Sequence, residues 1–274
     1  DKNEKADAYG NFEAREIMVS AETQGKILRL NVEEGEQIEA SKQVGVIDSS
    51  TLAIKRQQLV AKKEATASKL ENIAANVAVQ KEQIETFKTE LNRIERLLKN
   101  EAATKQQYDN IEGKYRVAKK QLRSIQTQKT SIYQELKVID KQILEVEENL
   151  KRCRIINPEK GTVLQKYHES GEFTMPGKAI YKLADLSSLF LRVYITGDQL
   201  PEVELGQEAT VFIDKNEQEN QQLTGIVTWI SSRAEFTPKI IQTKEERVDL
   251  VYAVKVKVKN DGRLKIGMPG EVNF

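Results

Sequence analysis

From Leu52 to Leu150 the apolar residues recur with a seven-residue period. In the first half of this stretch, Leu70, Val77, Ile84, Leu91 and Leu98 form one row, and Leu52, Leu59, Ile73, Phe87 and Ile94 form the other. In the second half the row runs through Tyr108, Ile111, Tyr115, Ala118, Leu122, Ile125, Ile132, Leu136, Ile139, Ile143, Val146 and Leu150. Alternating steps of three and four over this length are the signature of a coiled coil. The stretch has no Pro and one Gly, Gly113, and its two arms are matched about residue 103. Equal arms with a short polar break predict an antiparallel helical hairpin, roughly 70 Å long at 1.5 Å per residue. Arg56, Lys63, Thr66, Gln80 and Lys129 fall on the seam. Such residues either fix the register, with their stems snorkelling out of the seam, or pack against a neighbouring subunit.

On either side of the hairpin the pattern shortens to strands and turns, and it repeats. Ser20 to Ile47 aligns without a gap on Ile156 to Leu183. Gly25 falls on Gly161, Ile27 on Val163, Gly35 on Gly171, Val44 on Ile180 and Ile47 on Leu183. One strand-turn-strand unit therefore occurs twice, with the hairpin between the copies. From Leu189 onwards the pattern is again β. Leu189–Ile195, Ala209–Ile213, Gly225–Ile230 and Val251–Val258 are strand candidates, and the alternation after Ala253 implies one buried and one wet face. Short strands with Gly turns suggest a small barrel, with Trp229 expected in its core.

Composition narrows the function. Charged residues make up 31% of the 274 residues and aromatics 6%, which suits long solvated helices rather than one thick core. A net charge of +1 provides no field for nucleic acid, and Lys119-Lys120 lacks interleaved aromatics. One Cys and one His cannot build a zinc cluster or a disulfide framework. No apolar run is long enough to span a bilayer. The chain opens on Asp1 rather than Met, as a processed or trimmed start would. His168 is expected on a surface loop and Cys153 as a small filler at the end of the second arm. No nucleotide-binding or nucleophile-elbow motif is present, and no catalytic, cofactor or metal residue is nominated. Glu33-Glu34 and the acidic run from Glu145 read as solvated faces.

The repeated half-motif around Gly25/Gly35 and Gly161/Gly171 resembles the lipoyl/biotinyl carrier fold. In carriers the halves join through a tight turn bearing a modifiable Lys; here the hairpin replaces it, between Asp48 and Arg154. A lipoyl fold split by a helical hairpin and followed by a barrel resembles the periplasmic adaptor proteins, or membrane fusion proteins, of the HlyD/AcrA type. The fold class so implied is α+β, elongated and modular: an antiparallel coiled-coil hairpin in a split lipoyl-like domain, followed by a small β-barrel. The expected parts are a tail and barrel or membrane-proximal strand (1–16), lipoyl halves at 17–49 and 153–186, the hairpin at 50–152 with its tip near 98–104, and the barrel at 187–274.

The family's hairpin tips carry Arg, then Leu four residues on, then Ser seven further. Arg93, Leu97 and Thr104 keep that spacing, with Thr in place of Ser. The resemblance implies that these three dock a TolC-like outer-membrane channel. Each also has a plainer reading. Thr104 with Gln107 is a capping box, and Arg93 lies off the seam as a solvated Arg does; Leu97, at a g position beside the seam, is harder to explain by solvation. Ala234–Lys239, Glu245–Tyr252 and Leu264–Gly270 look like the subgroup serving ABC-type exporters, with RND-type exporters as the alternative. The implied partners are that inner-membrane transporter, the channel and further copies of the chain, as a hexamer. The implied place is the periplasm of a Gram-negative bacterium, on an inner-membrane anchor preceding Asp1. Two other functions stay open from the residues: a carrier with a cofactor on Lys, although Lys42 and Lys178 are not where a carrier Lys would sit, and a structural coiled-coil protein.

Overall fold

The computed structural model describes residues 6–214, 220–236 and 250–274. In chain order the elements are β1 (Ala8–Glu13), β2 (Glu16–Ser20), β3 (Gly25–Leu30), β4 (Gln37–Ile38), β5 (Gln43–Ile47), α1 (Ser50–Lys99), α2 (Lys105–Arg152), β6 (Arg154–Ile156), β7 (Gly161–Lys166), β8 (Phe173–Thr174), β9 (Ala179–Ala184) and β10 (Ser188–Thr196). After β10 come β11 (Glu208–Asp214), β12 (Asn220–Ile230), β13 (Glu235–Phe236), β14 (Leu250–Lys259) and β15 (Pro269–Asn273). The chain divides into two compact units: Asp48–Arg154, and the two β-rich stretches on either side of it.

The helical unit is the hairpin that the seven-residue period predicts. Its covered positions follow the expected seam, with Leu59, Thr66, Ala118, Ile139 and Val146 buried and most other seam residues half-buried. Four of the five polar seam residues, Arg56, Lys63, Gln80 and Lys129, find partners inside the hairpin. Arg56 Nε donates to Glu147 Oε1 at 2.7 Å, Lys63 Nζ lies 2.7 Å from Asp140 Oδ1, and Gln80 Nε2 donates to the Ala118 carbonyl at 3.2 Å. Lys129 sits over the Tyr133 ring at 5.8 Å. These pairs favour the register reading over packing against another subunit. Ion pairs this exposed contribute about 0–1 kcal/mol each, so they select the alignment more than they stabilise it.

In the β unit the repeat becomes geometry. Shifting β3, β4 and β5 by the repeat offset lands them on β7, β8 and β9, and β2 lands on β6. Two four-stranded sheets result, β2-β9-β7-β4 and β6-β5-β3-β8, and exchanging the halves turns one order into the other. Backbone bonds come in exchanged pairs. Ala21 N donates to Lys178 O at 2.8 Å, and Asn157 N donates to Lys42 O at 2.9 Å. Gly35 N donates to Val163 O at 2.8 Å, and Gly171 N to Ile27 O at 2.7 Å. Even the bulges repeat, at Leu28 in β3 and Leu164 in β7. Gly35 and Gly171 both have a left-handed φ (87° and 98°), which explains why both turns carry Gly. Ile27, Ile38, Ile47, Val163, Ile180 and Leu183 form the interior. The exchange swaps apolar for polar at two buried pairs, Ala21 with Asn157 and Ile38 with Thr174. Asn157 Nδ2 donates to the carbonyls of Ile38 and Glu39 (3.3 and 3.0 Å), and its Oδ1 accepts the Tyr181 hydroxyl at 2.8 Å. A buried polar network of this kind holds only when satisfied. Burial also pushes the Tyr181 phenol well above its ordinary pKa.

The remaining strands form a sheet in the order β10-β1-β15-β11-β12-β14-β13, and β10 also pairs with β14, closing six strands into a barrel. Leu189, Leu191, Val193 and Ile195 of β10 and Val254, Val256 and Val258 of β14 fill its interior. Trp229 departs from expectation: it is 40% exposed, under the Lys255 ammonium at 5.7 Å. A register shift between Val227 and Trp229 is the cause, because it breaks the alternation that would have carried the indole inward after the buried Val227. Of the segments that resemble the ABC-exporter subgroup, 237–249 lies outside the described residues.

Candidate docking site at the hairpin tip

The tip is built by two helix ends. α1 closes with Asn100 as its C-cap and Glu101 in a left-handed conformation (φ 59°). Ala102 N donates to Leu97 O at 2.8 Å and Glu101 N to Leu98 O at 3.1 Å, the paired bonds of a Schellman motif. A non-Gly residue in that conformation costs about 1 kcal/mol. Four residues on, Thr104 starts α2 with a capping box: its hydroxyl accepts from Gln107 N at 3.3 Å, and its own N–H donates to Gln107 Oε1 at 2.8 Å. The turn is thus pinned from both sides, and the orphan backbone groups of both ends are partly satisfied.

The three nominated residues sit on this frame as follows. Leu97 is 38% exposed, and its carbonyl anchors the turn. Thr104 is exposed, with its oxygen engaged in capping, so its methyl and hydroxyl hydrogen are what it can offer a partner. Arg93 lies about one turn below Leu97; its guanidinium bonds Glu90 Oε1 at 2.6 Å and is largely exposed. The structure therefore places Leu97 and Thr104 on the two flanks of one turn and Arg93 on the shaft beneath it. Lys99 pairs with Glu95 at 3.2 Å, so the tip is close to charge-balanced.

Reading the seam alone misses a neighbouring feature. An open groove of about 670 Å³ is lined by Gln80, Gln83, Phe87, Gly113, Val117 and Gln121, with Lys114 and Ala118 beside them. Its sequence signal was Gly113: a Cβ built there would meet nothing within 4 Å. Elsewhere, His168 is half-buried with Nδ1 2.8 Å from the Ala179 carbonyl. Cys153 is a buried free thiol capping α2, and its pKa is raised by burial and then by the Asp48 charge. Among the described residues no group of three His, Cys, Asp or Glu could hold a metal, and no helix is long and apolar enough to cross a membrane.

No family model matches the chain. Two curated relatives are UPF0194 membrane proteins. One, from Acidithiobacillus ferridurans, is 37% identical over 122 residues, covering 44% of this chain and 36% of the relative. The other, YbhG of Salmonella arizonae, is 30% identical over 127 residues, covering 46% and 38%. The match thus spans well under half the length of these relatives. Among solved structures, MacA from Actinobacillus actinomycetemcomitans superposes with a TM-score of 0.62 at 22% identity, over 97% of this chain and 76% of that one. The membrane fusion protein Spr0693 from Streptococcus pneumoniae R6 gives 0.52 at 16%, over 97% and 96%. The chain has the fold of MacA and of the membrane fusion protein Spr0693, and the resemblance visible in its sequence holds at the level of fold.

Proposed function

We propose that this chain is the adaptor of a tripartite export assembly, joining an inner-membrane exporter to a TolC-like outer-membrane channel through Arg93, Leu97 and Thr104. The observation that carries the reading is the doubly capped tip, which holds an exposed Leu97 at the rim of a coiled coil whose seam residues Arg56 and Lys63 are paired internally. The Schellman turn favours an apolar residue at this position, and Leu97 stays 38% exposed beyond what that turn covers. A tip of three residues is far smaller than the roughly 800 Å² per partner of a stable interface. Several tips in one ring would supply the affinity, each docking at high effective concentration after the first. The ring is a homo-oligomer of six, the exporter is of the ABC type, and the site is the periplasm, reached from an anchor N-terminal to Asp1. The part assignments of the sequence reading belong to the same proposal. The chain does no chemistry: the place of the carrier Lys turn, between β5 and β6, is taken by α1 and α2.

The test is a photo-crosslinking residue at Leu97 of the full-length protein in cells, with the captured species identified. Capture of an outer-membrane channel is the expected result. Capture of nothing but a second copy, or normal export by Leu97→Asp, overturns the tip assignment.

A further inference from the structure

Along much of the hairpin, cations sit one helical turn from carboxylates. Lys88 pairs with Glu85, Arg93 with Glu90, Lys99 with Glu95 and Lys151 with Glu148. One stretch of α2 departs from this arrangement. Between Glu112 and Glu135 there is no acidic residue, while Lys114, Arg116, Lys119, Lys120, Arg123 and Lys129 all fall there. Arg116, Lys119, Lys120 and Arg123 stand at i, i+3, i+4 and i+7, the spacing of one helix face. All four are exposed, and among the described residues none forms an ion pair. Lys119 lies over the Tyr115 ring at 4.7 Å. The facing helix does not neutralise them. The bond from Gln80 to the Ala118 carbonyl sets the register, so the uncharged stretch Asn72–Gln80 of α1 runs beside this part of α2. Lys81 and Glu82, next along α1, cancel in charge, and Glu85 is held by Lys88 at 3.4 Å. Packing does not account for the four cations either, because the seam here runs through Tyr115, Ala118, Leu122 and Ile125. Like charges one turn apart repel, so the cluster works against the helix that carries it. A local cost with no gain in folding marks a functional surface.

We infer that this face of α2 binds a linear polyanion, a glycan chain that carries carboxylates. Charge complementarity selects the ligand class. Arg116 and Arg123 present planar guanidinium forks that can each take a carboxylate through two bonds, with Lys119 and Lys120 as point charges between them. The four span about 10 Å along the helix. A sugar unit in a linear glycan advances by about one helical turn, so successive carboxylates meet successive turns of the face. Thr127 and Thr130 continue the same row. Their hydroxyl hydrogens go to the carbonyls of Arg123 and Gln126, which leaves the oxygens as acceptors for sugar hydroxyls. Lys137 and Lys141, both exposed, bring charge back further along it. A folded acidic protein fits less well, because from Arg116 to Thr130 the row has no apolar residue to anchor one. The exposed Val117 belongs to the groove with Phe87 and Gly113. Nucleic acid fits less well too, because no aromatic lies between the four cations for bases to stack on.

The probe is polygalacturonate, a glycan with one carboxylate on each sugar, titrated into the whole chain, with uncharged dextran as the control. The parent is expected to bind the first and not the second, and to bind less tightly as salt rises. Arg116→Gln, Lys119→Gln, Lys120→Gln and Arg123→Gln together should weaken binding about tenfold or more. The melting temperature of this variant should hold or rise, since Gln keeps helix propensity and the repulsion is gone. Lys88→Gln, Lys99→Gln, Lys151→Gln and Lys160→Gln together remove the same charge from ion-paired positions and should leave the affinity nearly unchanged. A parent that does not bind, a first variant that binds as the parent does, an equal loss in both variants, or a fall in melting temperature of the first overturns the inference. Tighter binding of polyglutamate than of polygalacturonate also overturns it, and assigns the face to an acidic polypeptide instead. None of these measurements involves the channel or Leu97, so the docking reading passes or fails independently.

Discussion

The hairpin and the barrel bury their apolar residues in opposite ways. In the barrel, Leu189, Leu191, Val193 and Ile195 are wholly covered, because a closed sheet gives every inward residue neighbours on all sides. In the hairpin two helices share one seam, and most of its residues stay half in water, with five described side chains buried in 98 helical positions and only Ile139 wholly covered. A thin seam cannot hold register by packing alone, which explains why Arg56, Lys63 and Gln80 bridge it. The comparison shows that the same residue type carries different weight in the two regions.

Leu191→Ala should show the largest effect, a loss of about 2–5 kcal/mol in denaturant unfolding, since it opens a cavity in a closed core. Ile84→Ala, on the half-buried seam, should cost about 1–2 kcal/mol; a cost equal to that of Leu191→Ala would erase the distinction. Thr104→Ala removes the capping box and should cost about 1 kcal/mol, with faster hydrogen exchange at Gln107, while Thr104→Ser restores both. Gly113→Ala runs the other way. Its Cβ meets open space, so the hairpin should gain about 0.5–1 kcal/mol.

The smallest effect lies on the barrel surface. Hydrogen bonding to Arg263 holds the Asp261 carboxyl at about 2, against an ordinary 3.8. A lowered folded-state pKa gives stability that is present above the ordinary value and lost as pH falls from 3.8 towards 2. Asp261→Asn should flatten that acid slope slightly, because the pair is exposed and screened, and acid titration of the melting temperature reads it.

The parts of the structure governed by period were legible in the sequence. The seven-residue rows of Leu70 to Leu98 gave the hairpin, and the matched Gly35 and Gly171 gave the repeated turn. The residues that escaped depend on where the chain leaves its period. Trp229 turned outward at a register shift that no residue type announces. Glu101 adopted a left-handed φ with no Gly to signal it. Ser41 did the same (φ 62°), and in its case the clue was its repeat partner Gly177 at 82°. At the tip, the spacing of Arg93, Leu97 and Thr104 was readable, while the ion pair of Arg93 with Glu90 needed coordinates.

The heptad seam also makes the hairpin a ruler with fixed gradations. Removing seven residues from each arm at matching heights would leave the remaining rows facing each other and both capped ends untouched, while shortening the reach by about 10 Å. Removing three or five would rotate the apolar row out of the seam. The length of this rod can therefore change only in whole notches, and any gap it spans is measured in the same unit.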